Sequence, residues 1–258
     1  MVTHLRKQHP RLGARKLHHM LKPYRVKTGI KLGRDAFFNL LATHSLLIRH
    51  RKRRKQPTYS KHWFRKYPNQ IRDLVVRDIN KVWVSDITYW HIGNKFLYLS
   101  FITDAYSHKI VGYSVSTNLE AVNNLGSLHM ALRENSCSGS LSGLIHHSDR
   151  GIQYCSKEYI AMLNTHNIQI SMSEHGDPLE NALAERINGI MKHEYLLRHQ
   201  VKNLKQAKGL VDKVVKLYNE KRPHLSCGLH TPSMIHSHQD KPIRLWKNYK
   251  KTTSDNLC

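Results

Sequence analysis

Three acidic residues, Asp86, Asp149 and Glu185, have the chemistry to share divalent cations. Asp86 lies inside the apolar segment VWVSDITYW, where a carboxylate is costly to bury unless a partner neutralises it. Oxygen ligands of this kind suit Mg²⁺, which takes one or two carboxylates together with phosphate oxygens and water. Two such ions can activate a nucleophile and stabilise the leaving oxygen of an in-line displacement. The residue types therefore favour phosphodiester cleavage or transfer, although each acid alone is also consistent with an ordinary salt bridge.

The segment around Asp86 predicts a central β-strand. Val82, Val84, Asp86 and Thr88 share one face of an extended chain, and the intervening residues form the other face. Both faces are largely apolar or aromatic, which is typical of a strand covered on each side. Asp86 is the exception on its face, and the strand offers no basic neighbour there to pair with it.

Glu185 lies on a helix predicted over about 179–197. Asn181, Glu185, Asn188 and Lys192 are spaced at i, i+4, i+7 and i+11, so their side chains form one polar stripe. The opposite side is apolar and has the pattern of a face that docks on a core. The helix would therefore present Glu185 and its polar neighbours to a cleft.

The order of the predicted elements indicates an α/β fold. Asp149 ends the fourth of five predicted strands, and Gly151 allows the chain to turn away sharply after it. Helices separate the later strands, so we expect a mixed five-stranded sheet with helices on both faces. The predicted strands lie at 82–89, 96–102, 109–115, 144–148 and 168–172, and the predicted helices at 119–134, 156–166, 179–197 and 203–219.

The charge of the chain points to nucleic acid. Forty-two Lys and Arg against 18 Asp and Glu give a formal net charge of +24, which is best accommodated beside a polyanion. No apolar run approaches the length of a membrane span, and no basic helix has the wide apolar face of a surface anchor. Four cysteines without a C-x-x-C pair fit a reducing compartment. We therefore expect a cytoplasmic protein that binds nucleic acid.

The basic residues suggest how the chain is divided. Residues 1–80 hold 21 of the 42 basic residues, and two short helical patterns joined by a turn predict a helix-turn-helix-like module over 1–48. The following range, 49–79, is typical of a basic linker. We expect the catalytic core at 80–197 and a helical basic extension at 198–258. The linker holds three candidates for phosphate contacts: Arg51, Arg53 and Arg54.

Several motifs resemble the DDE transposases of bacterial insertion sequences, which have a retroviral-integrase-like core. VWVSDITYW is similar to the first-Asp strand of that group, HSDRGIQY to its second-Asp segment, and ENALAERINGIMKHEYL to its glutamate helix. The 35 positions from 150 to 184 match the typical spacing between the second Asp and the Glu. YNEKRPHLSCGLHTPSM, at 218–234, resembles the C-terminal signature of transposases encoded by the second of two overlapping frames. The likeness covers roughly residues 10–235.

One motif departs from the group. Asp-Asn-Ala usually precedes the glutamate, whereas this chain has Glu180-Asn181-Ala182. Glu180 is therefore an alternative third acid. The spacing, and Lys192 in its expected place, favour Glu185.

The resemblance implies an RNase H-like fold in which Asp86, Asp149 and Glu185 hold two Mg²⁺ ions, with Mn²⁺ as a substitute. It implies hydrolysis that exposes a 3′-hydroxyl at the end of the element, followed by attack of that hydroxyl on a second phosphodiester. Double-stranded DNA, as element end and as target, is the implied partner. Residues proposed to contact it are Lys192, Asn181, Asn188 and Arg222.

The resemblance also implies a homo-oligomer on DNA, and a fusion or partnership with the product of the upstream frame. Two other interpretations stay open at this point. A plain metal nuclease of the same fold would share the triad without the transfer step. A non-catalytic DNA-binding regulator, or a decayed transposase copy, would explain the charge without using the three acids.

Overall fold

The computed structural model describes residues 1–48, 63–93, 95–136, 141–174 and 181–237. The chain begins with four short helices. Leu17, Phe37 and Leu41 are buried in a small apolar core formed by these helices alone. A hydrogen bond of 2.9 Å between His9 Nδ1 and Tyr195 Oη connects this group to the rest of the molecule. The four helices are α1 (Val2–Gln8), α2 (Ala14–Met20), α3 (Lys22–Lys27) and α4 (Arg34–Thr43).

Two of these helices, α2 and α4, correspond to the two helical patterns predicted from the sequence. The helices α1 and α3 were not predicted, because each is only six or seven residues long and has no buried residue. The status of 1–48 as a separate helix-turn-helix-like module stays a prediction.

The apolar segments from residue 82 onward form one sheet. Its described strands are β1 (Val82–Ile92), β2 (Lys95–Asp104), β3 (Ile110–Ser116), β4 (Ile145–Ser148) and β5 (Gln169–Met172). They lie in the order β3-β2-β1-β4-β5. β2 pairs antiparallel with β1 and β3, whereas β4 pairs parallel with β1 and β5. The prediction of a mixed five-stranded sheet is confirmed.

Helices cover both faces of this sheet. On one face, α5 (Ala121–Ser136) and α6 (Lys157–Thr165) share a buried cluster with Trp83 and Ile102. On the other face, α7 (Ala182–Ile190) and α8 (Leu204–Lys221) share a cluster with Leu99 and Phe101. Alternate residues of each central strand thus enter different cores, which explains why both of its faces are apolar.

The helix that carries Glu185 changes pitch along its length. Asn181 is its N-cap, and the α-helical part ends at Ile190. A π-helical turn, Met191–Tyr195, and a 3-10 turn, Leu196–Arg198, follow directly. The helix predicted over about 179–197 is therefore a continuous helical segment whose pitch changes twice, and positions 179–180 lie outside the described residues.

The C-terminal part contains α8, in agreement with the predicted helix, then a 3-10 turn at Leu225–Cys227 and α9 (Pro232–His236). Within the described ranges, the molecule has no helix that is both long and apolar enough to span a membrane.

The second half of the predicted linker lies against the sheet. The backbone N–H of Gln70 donates to Ser171 Oγ over 2.9 Å, and the N–H of Asn69 donates to Glu174 Oε1 over 3.0 Å. Phe64 and Tyr67 pack against the cluster beneath α5 and α6. Residues 63–79 are therefore attached to the core. The first half, 49–62, lies outside the described residues, together with Arg51, Arg53 and Arg54.

Candidate active site

Asp86 lies in β1 on the face that is covered by α7. The amide nitrogen of Asn188 donates to Asp86 Oδ2 over 2.8 Å, and the backbone N–H of Ile87 donates to Oδ1 over 2.9 Å. Among the ion pairs of the described residues, none involves Asp86. The carboxylate is therefore oriented by hydrogen bonds from neutral groups rather than neutralised by a basic side chain.

Asp149 is placed beside Asp86 by the register of two parallel strands. Val84 of β1 is paired with His147 of β4, so continuing that register by two residues brings Asp86 level with Asp149. Adjacent strands are separated by about 4.8 Å, which makes the two carboxylates neighbours. The sequence alone could not fix this register, because β2, β3 and α5 intervene between the two strands.

Gly151 allows the chain to fold back over the Asp149 carboxylate. Its backbone N–H donates to Asp149 Oδ1 over 3.0 Å. A Cβ atom at this position would stand only 2.9 Å from the same oxygen. Any other residue would therefore push against the carboxylate, which explains the glycine after the second acid.

Glu185 lies in the first turn of α7, three residues before Asn188. Its side chain is exposed, whereas Ala184 and Ile187 are buried beneath it. The apolar side of α7 thus fixes the helix on the sheet, and Glu185 on its polar side lies close enough to Asp86 for its charge to raise the pKa of that residue.

Electrostatics connect the three acids. Burial raises the pKa of Asp86 from 3.8 to about 8, and the neighbouring charges of Asp149 and Glu185 raise it as well. The hydrogen bonds from Asn188 and Ile87 lower the pKa of Asp86, but by less than burial and the neighbouring charges raise it. In the absence of a cation, Asp86 therefore holds a proton near neutral pH, because its ionised form is both desolvated and repelled.

The residues fit a hard cation, although they do not form a finished metal site. Within the described ranges, no group of three or more His, Cys, Asp and Glu side chains is arranged to hold a metal ion. The donors are nevertheless carboxylate oxygens, which hard divalent ions prefer. Asn188 adds a buried Oδ1 that has no hydrogen-bond partner in the structure. A cation with its water shell would relieve the repulsion at Asp86 and offer a partner to this oxygen.

Lys192 lies next to this group on the π-helical turn. Its Nζ is 3.4 Å from Thr88 Oγ1 and 4.0 Å from the centre of the Tyr89 ring. Thr88 is on the same face of β1 as Asp86. Burial lowers the pKa of Lys192, but the aromatic ring favours the charged form. The ammonium group is thus held against β1, the strand that carries Asp86.

Two predicted DNA contacts are instead internal connections between α7 and β1. Asn181 and Asn188 are only 6% and 5% exposed. The amide of Asn181 donates to the backbone oxygen of Ser85 over 3.0 Å, and that of Asn188 donates to Asp86. Both therefore hold the helix of Glu185 on the strand of Asp86, which corrects the prediction that they face DNA.

Arg222 is also internal. It is 1% exposed, and its guanidinium binds both carboxylate oxygens of Glu194 over 2.7 and 2.8 Å. A phosphate has no access to it, so its proposed DNA contact is corrected. A signal was present in the sequence: Arg222 continues the buried stripe of α8, which runs through Val211, Val215 and Tyr218.

Asp104 has the structural role expected of a turn residue. It is fully buried and accepts hydrogen bonds from the backbone N–H groups of Ser107 and Asn80 over 2.7 and 2.8 Å. Ser107 Oγ donates a third bond. The alternative third acid, Glu180, lies outside the described residues.

Comparison with known proteins places the chain in a family. The family model "Integrase core domain" matches residues 77–178, and a second model of the same description matches 166–232. The chain is 31% identical, over 90% of its length and 83% of the relative, to the uncharacterized 31 kDa protein of insertion element IS600 from Shigella sonnei. It is also 31% identical, over 87% of its length and 73% of the relative, to the transposase for insertion sequence element IS629 from Shigella sonnei.

The fold comparison agrees. The chain is similar to a chain in a structure of the simian T-cell lymphotropic virus intasome in complex with PP2A regulatory subunit B56 gamma, with a TM-score of 0.53 and 19% identity, over 94% of this chain and 80% of that one. The predicted RNase H-like fold is thereby confirmed. The chain belongs to the transposases of bacterial insertion sequences that contain an integrase core domain, which are DDE polynucleotidyl transferases.

Proposed function

We propose that this transposase cuts its element at the 3′ ends and joins those ends to target DNA, using Asp86, Asp149 and Glu185 to hold two Mg²⁺ ions. The observation that supports the proposal best is the in-register pair of Asp86 and Asp149. Burial and, after it, the neighbouring charge of Asp149 raise the pKa of Asp86 to about 8. Among the described residues, no basic side chain forms an ion pair with Asp86, and a bound cation would supply the positive charge that this carboxylate lacks.

The reaction would consist of two in-line displacements. In the first, water attacks the phosphodiester at the element end, a new P–O bond forms, and the bond to the 3′-oxygen breaks, leaving a 3′-hydroxyl. In the second, that hydroxyl attacks a target phosphodiester and releases another 3′-hydroxyl. When bound, two Mg²⁺ ions would activate the attacking oxygen and stabilise the leaving oxygen.

The side chains of this protein would prepare the site. Asp86 would release its proton when a cation binds and would serve as a ligand together with Asp149, with Glu185 completing the set from α7. Asn188 keeps the Asp86 carboxylate in one orientation through its 2.8 Å hydrogen bond. Lys192, held above Tyr89, would bind a DNA phosphate beside the cleft. The net charge of +24 would add non-specific phosphate contacts elsewhere on the surface.

The test uses three amide variants of the full chain: Asp86→Asn, Asp149→Asn and Glu185→Gln. Each should abolish Mg²⁺-dependent cleavage and strand joining on an oligonucleotide of the element end, while DNA binding and folding persist. Glu180→Gln is the matched control, since it is the neighbouring candidate acid. Activity that survives Glu185→Gln but not Glu180→Gln would refute the assignment of the third acid. Intact folding without any cleavage by the unaltered protein would favour a decayed copy.

We also propose that the chain works as a homo-oligomer, and together with the product of the upstream frame. Joining two element ends requires at least two protomers to hold them. The sequence shows no sustained heptad repeat that would supply a coiled coil. A fusion with the upstream product should therefore cleave terminal repeats with greater end selectivity than the 258-residue chain alone.

A further inference from the structure

The side chain of Trp63 is 83% exposed, more than that of any other large hydrophobic residue in the described part of the chain. The ring is not loose, because it is stacked on Phe64 with a centroid distance of 4.4 Å and an interplanar angle of 25°. Phe64 in turn packs against the core cluster under α5 and α6. One face of a tryptophan ring is thus supported from below and the other is open to solvent.

The position of this ring follows from the direction of its segment. Gln70 pairs with Ser171, whereas Pro68 accepts a backbone hydrogen bond from Met172 over 3.4 Å. The segment therefore runs antiparallel to β5, and residues 63–67 extend toward the carboxyl ends of β4 and β5. Asp149 lies at that edge of the sheet, directly after β4.

A second observation agrees with this direction. The Cys155 thiol lies against the end of β5, with its Sγ 3.7 Å from Met172 Sδ. Burial raises the pKa of this thiol most, the charge of Asp149 raises it further, and the charge of Lys66 lowers it. Trp63 precedes Lys66 by three residues in the chain.

The surroundings of Trp63 are basic. Arg65 and Lys66 are exposed, and the Arg65 guanidinium lies 5.2 Å from the centre of the Tyr67 ring. Exposed aromatic rings flanked by cations are the features with which proteins bind single-stranded nucleic acid, since the ring stacks on a base and the cations bind the backbone. A base pair inside a duplex offers no free face to such a ring, whereas an unpaired base at an opened end does.

We infer that Trp63, supported by Phe64, is a stacking platform for an unpaired DNA base next to the cleavage site. The inference rests on the proposed function, in which DNA ends are opened and joined at the edge where Asp149 lies. Its role would be to hold the terminal strand after the duplex end has opened, with Arg65 and Lys66 binding the adjacent phosphates.

The experiment measures binding of the full chain to two probes in EDTA, so that cleavage does not contribute. One probe is a blunt duplex, and the other is the same duplex with a three-nucleotide single-stranded end that carries 2-aminopurine. Trp63→Ala should weaken binding to the second probe by roughly 5- to 100-fold, the range found for loss of one base stack. Binding to the blunt duplex should change by no more than about twofold, because the phosphate contacts remain.

Two control variants sharpen the test. Trp63→Tyr keeps a ring and should retain most of the preference for the single-stranded end, together with the quenching of 2-aminopurine. Leu74→Ala removes another exposed apolar side chain of the same segment and should leave both affinities unchanged. If Trp63→Ala weakens binding to both probes equally, or to neither, the inference is wrong and the ring does not bind an unpaired base.

The result separates this inference from the proposed function. If the unaltered chain neither cuts nor joins DNA but binds the single-stranded end through Trp63, the platform stands and the proposed function fails. If the chain cuts and joins DNA while Trp63→Ala behaves as the unaltered protein on both probes, the proposed function stands and the platform fails.

Discussion

Replacing Asp86 by asparagine should make the metal-free protein more stable, although it should abolish catalysis. Asp86 has a pKa of 3.8 in an unfolded chain and about 8 in the folded protein. Between these values the folded state holds a proton that the unfolded state releases, so stability falls as the pH rises from about 4 to 8. Asp86→Asn removes this loss, because the amide never ionises and keeps nearly the same shape.

The size of the effect follows from the same shift. At about 1.4 kcal/mol per pH unit, the interval from 3.8 to about 8 sets an upper limit of about 6 kcal/mol. Asp86 is only half-buried, so water that enters the site will screen the charge, and we expect about 2–4 kcal/mol at pH 8. At pH 4 the two proteins should have the same stability, since Asp86 is then protonated in the folded state.

The assay is urea denaturation of both proteins in EDTA at pH 4, 6 and 8. Asp73→Asn, which makes the same chemical change at an exposed position, should show no pH-dependent gain. At pH 8, added Mg²⁺ should stabilise the unaltered protein by mass action and the Asp86→Asn variant much less. A variant that is equally stable or less stable at pH 8 in EDTA would refute the idea that the Asp86 carboxylate is repelled in the empty site.

Other predictions concern charge and organisation. Glu194→Gln should destabilise the protein by about 3 kcal/mol in urea denaturation, because it leaves the Arg222 guanidinium buried without its ion-pair partner. An unchanged urea midpoint would contradict this prediction. Lys192→Gln should make the plot of log DNA-binding constant against log salt concentration less steep by about 0.9, the contribution of one phosphate contact. An unchanged slope would show that Lys192 does not contact a DNA phosphate. Deleting residues 1–62 should weaken DNA binding but leave a cooperative melting transition. A fragment that starts at 75 should melt at a lower temperature, because it lacks the segment around residues 68–70 that contacts β5.

The fold was accessible from the sequence, and the three proposed ligands stood out in the sequence, for different reasons. The strands and helices followed from apolar periodicity, which depends only on local spacing. Asp86 stood out because a carboxylate contradicted the burial of its own strand. Glu185 stood out because its helix separates a polar stripe from an apolar one. In each case the signal lay within one segment.

The contacts that were missed or misassigned depend on pairs of distant segments. Nothing local in the sequence shows that residues 69–70 bind β5 a hundred positions later, so this part was predicted as a free linker. The pair of Glu194 and Arg222 is separated by 27 residues in the chain, and a basic residue after a helix was interpreted as a DNA contact. The π-helical turn between α7 and the following 3-10 turn has no sequence signature of its own.

The corrected asparagines show how this site is assembled. A helix that only docks by its apolar side is free to shift along the sheet by small amounts, and Glu185 would move with it. Asn181 and Asn188 fix α7 to β1 at two points, one of them the Asp86 carboxylate itself. The polar stripe therefore divides in two: its buried members set the position of the helix, whereas exposed Glu185 and half-buried Lys192 are the members proposed to act in the reaction. Removing the Asn188 amide should consequently impair cleavage without reducing the salt dependence of DNA binding, whereas the loss of Lys192 should reduce that dependence directly.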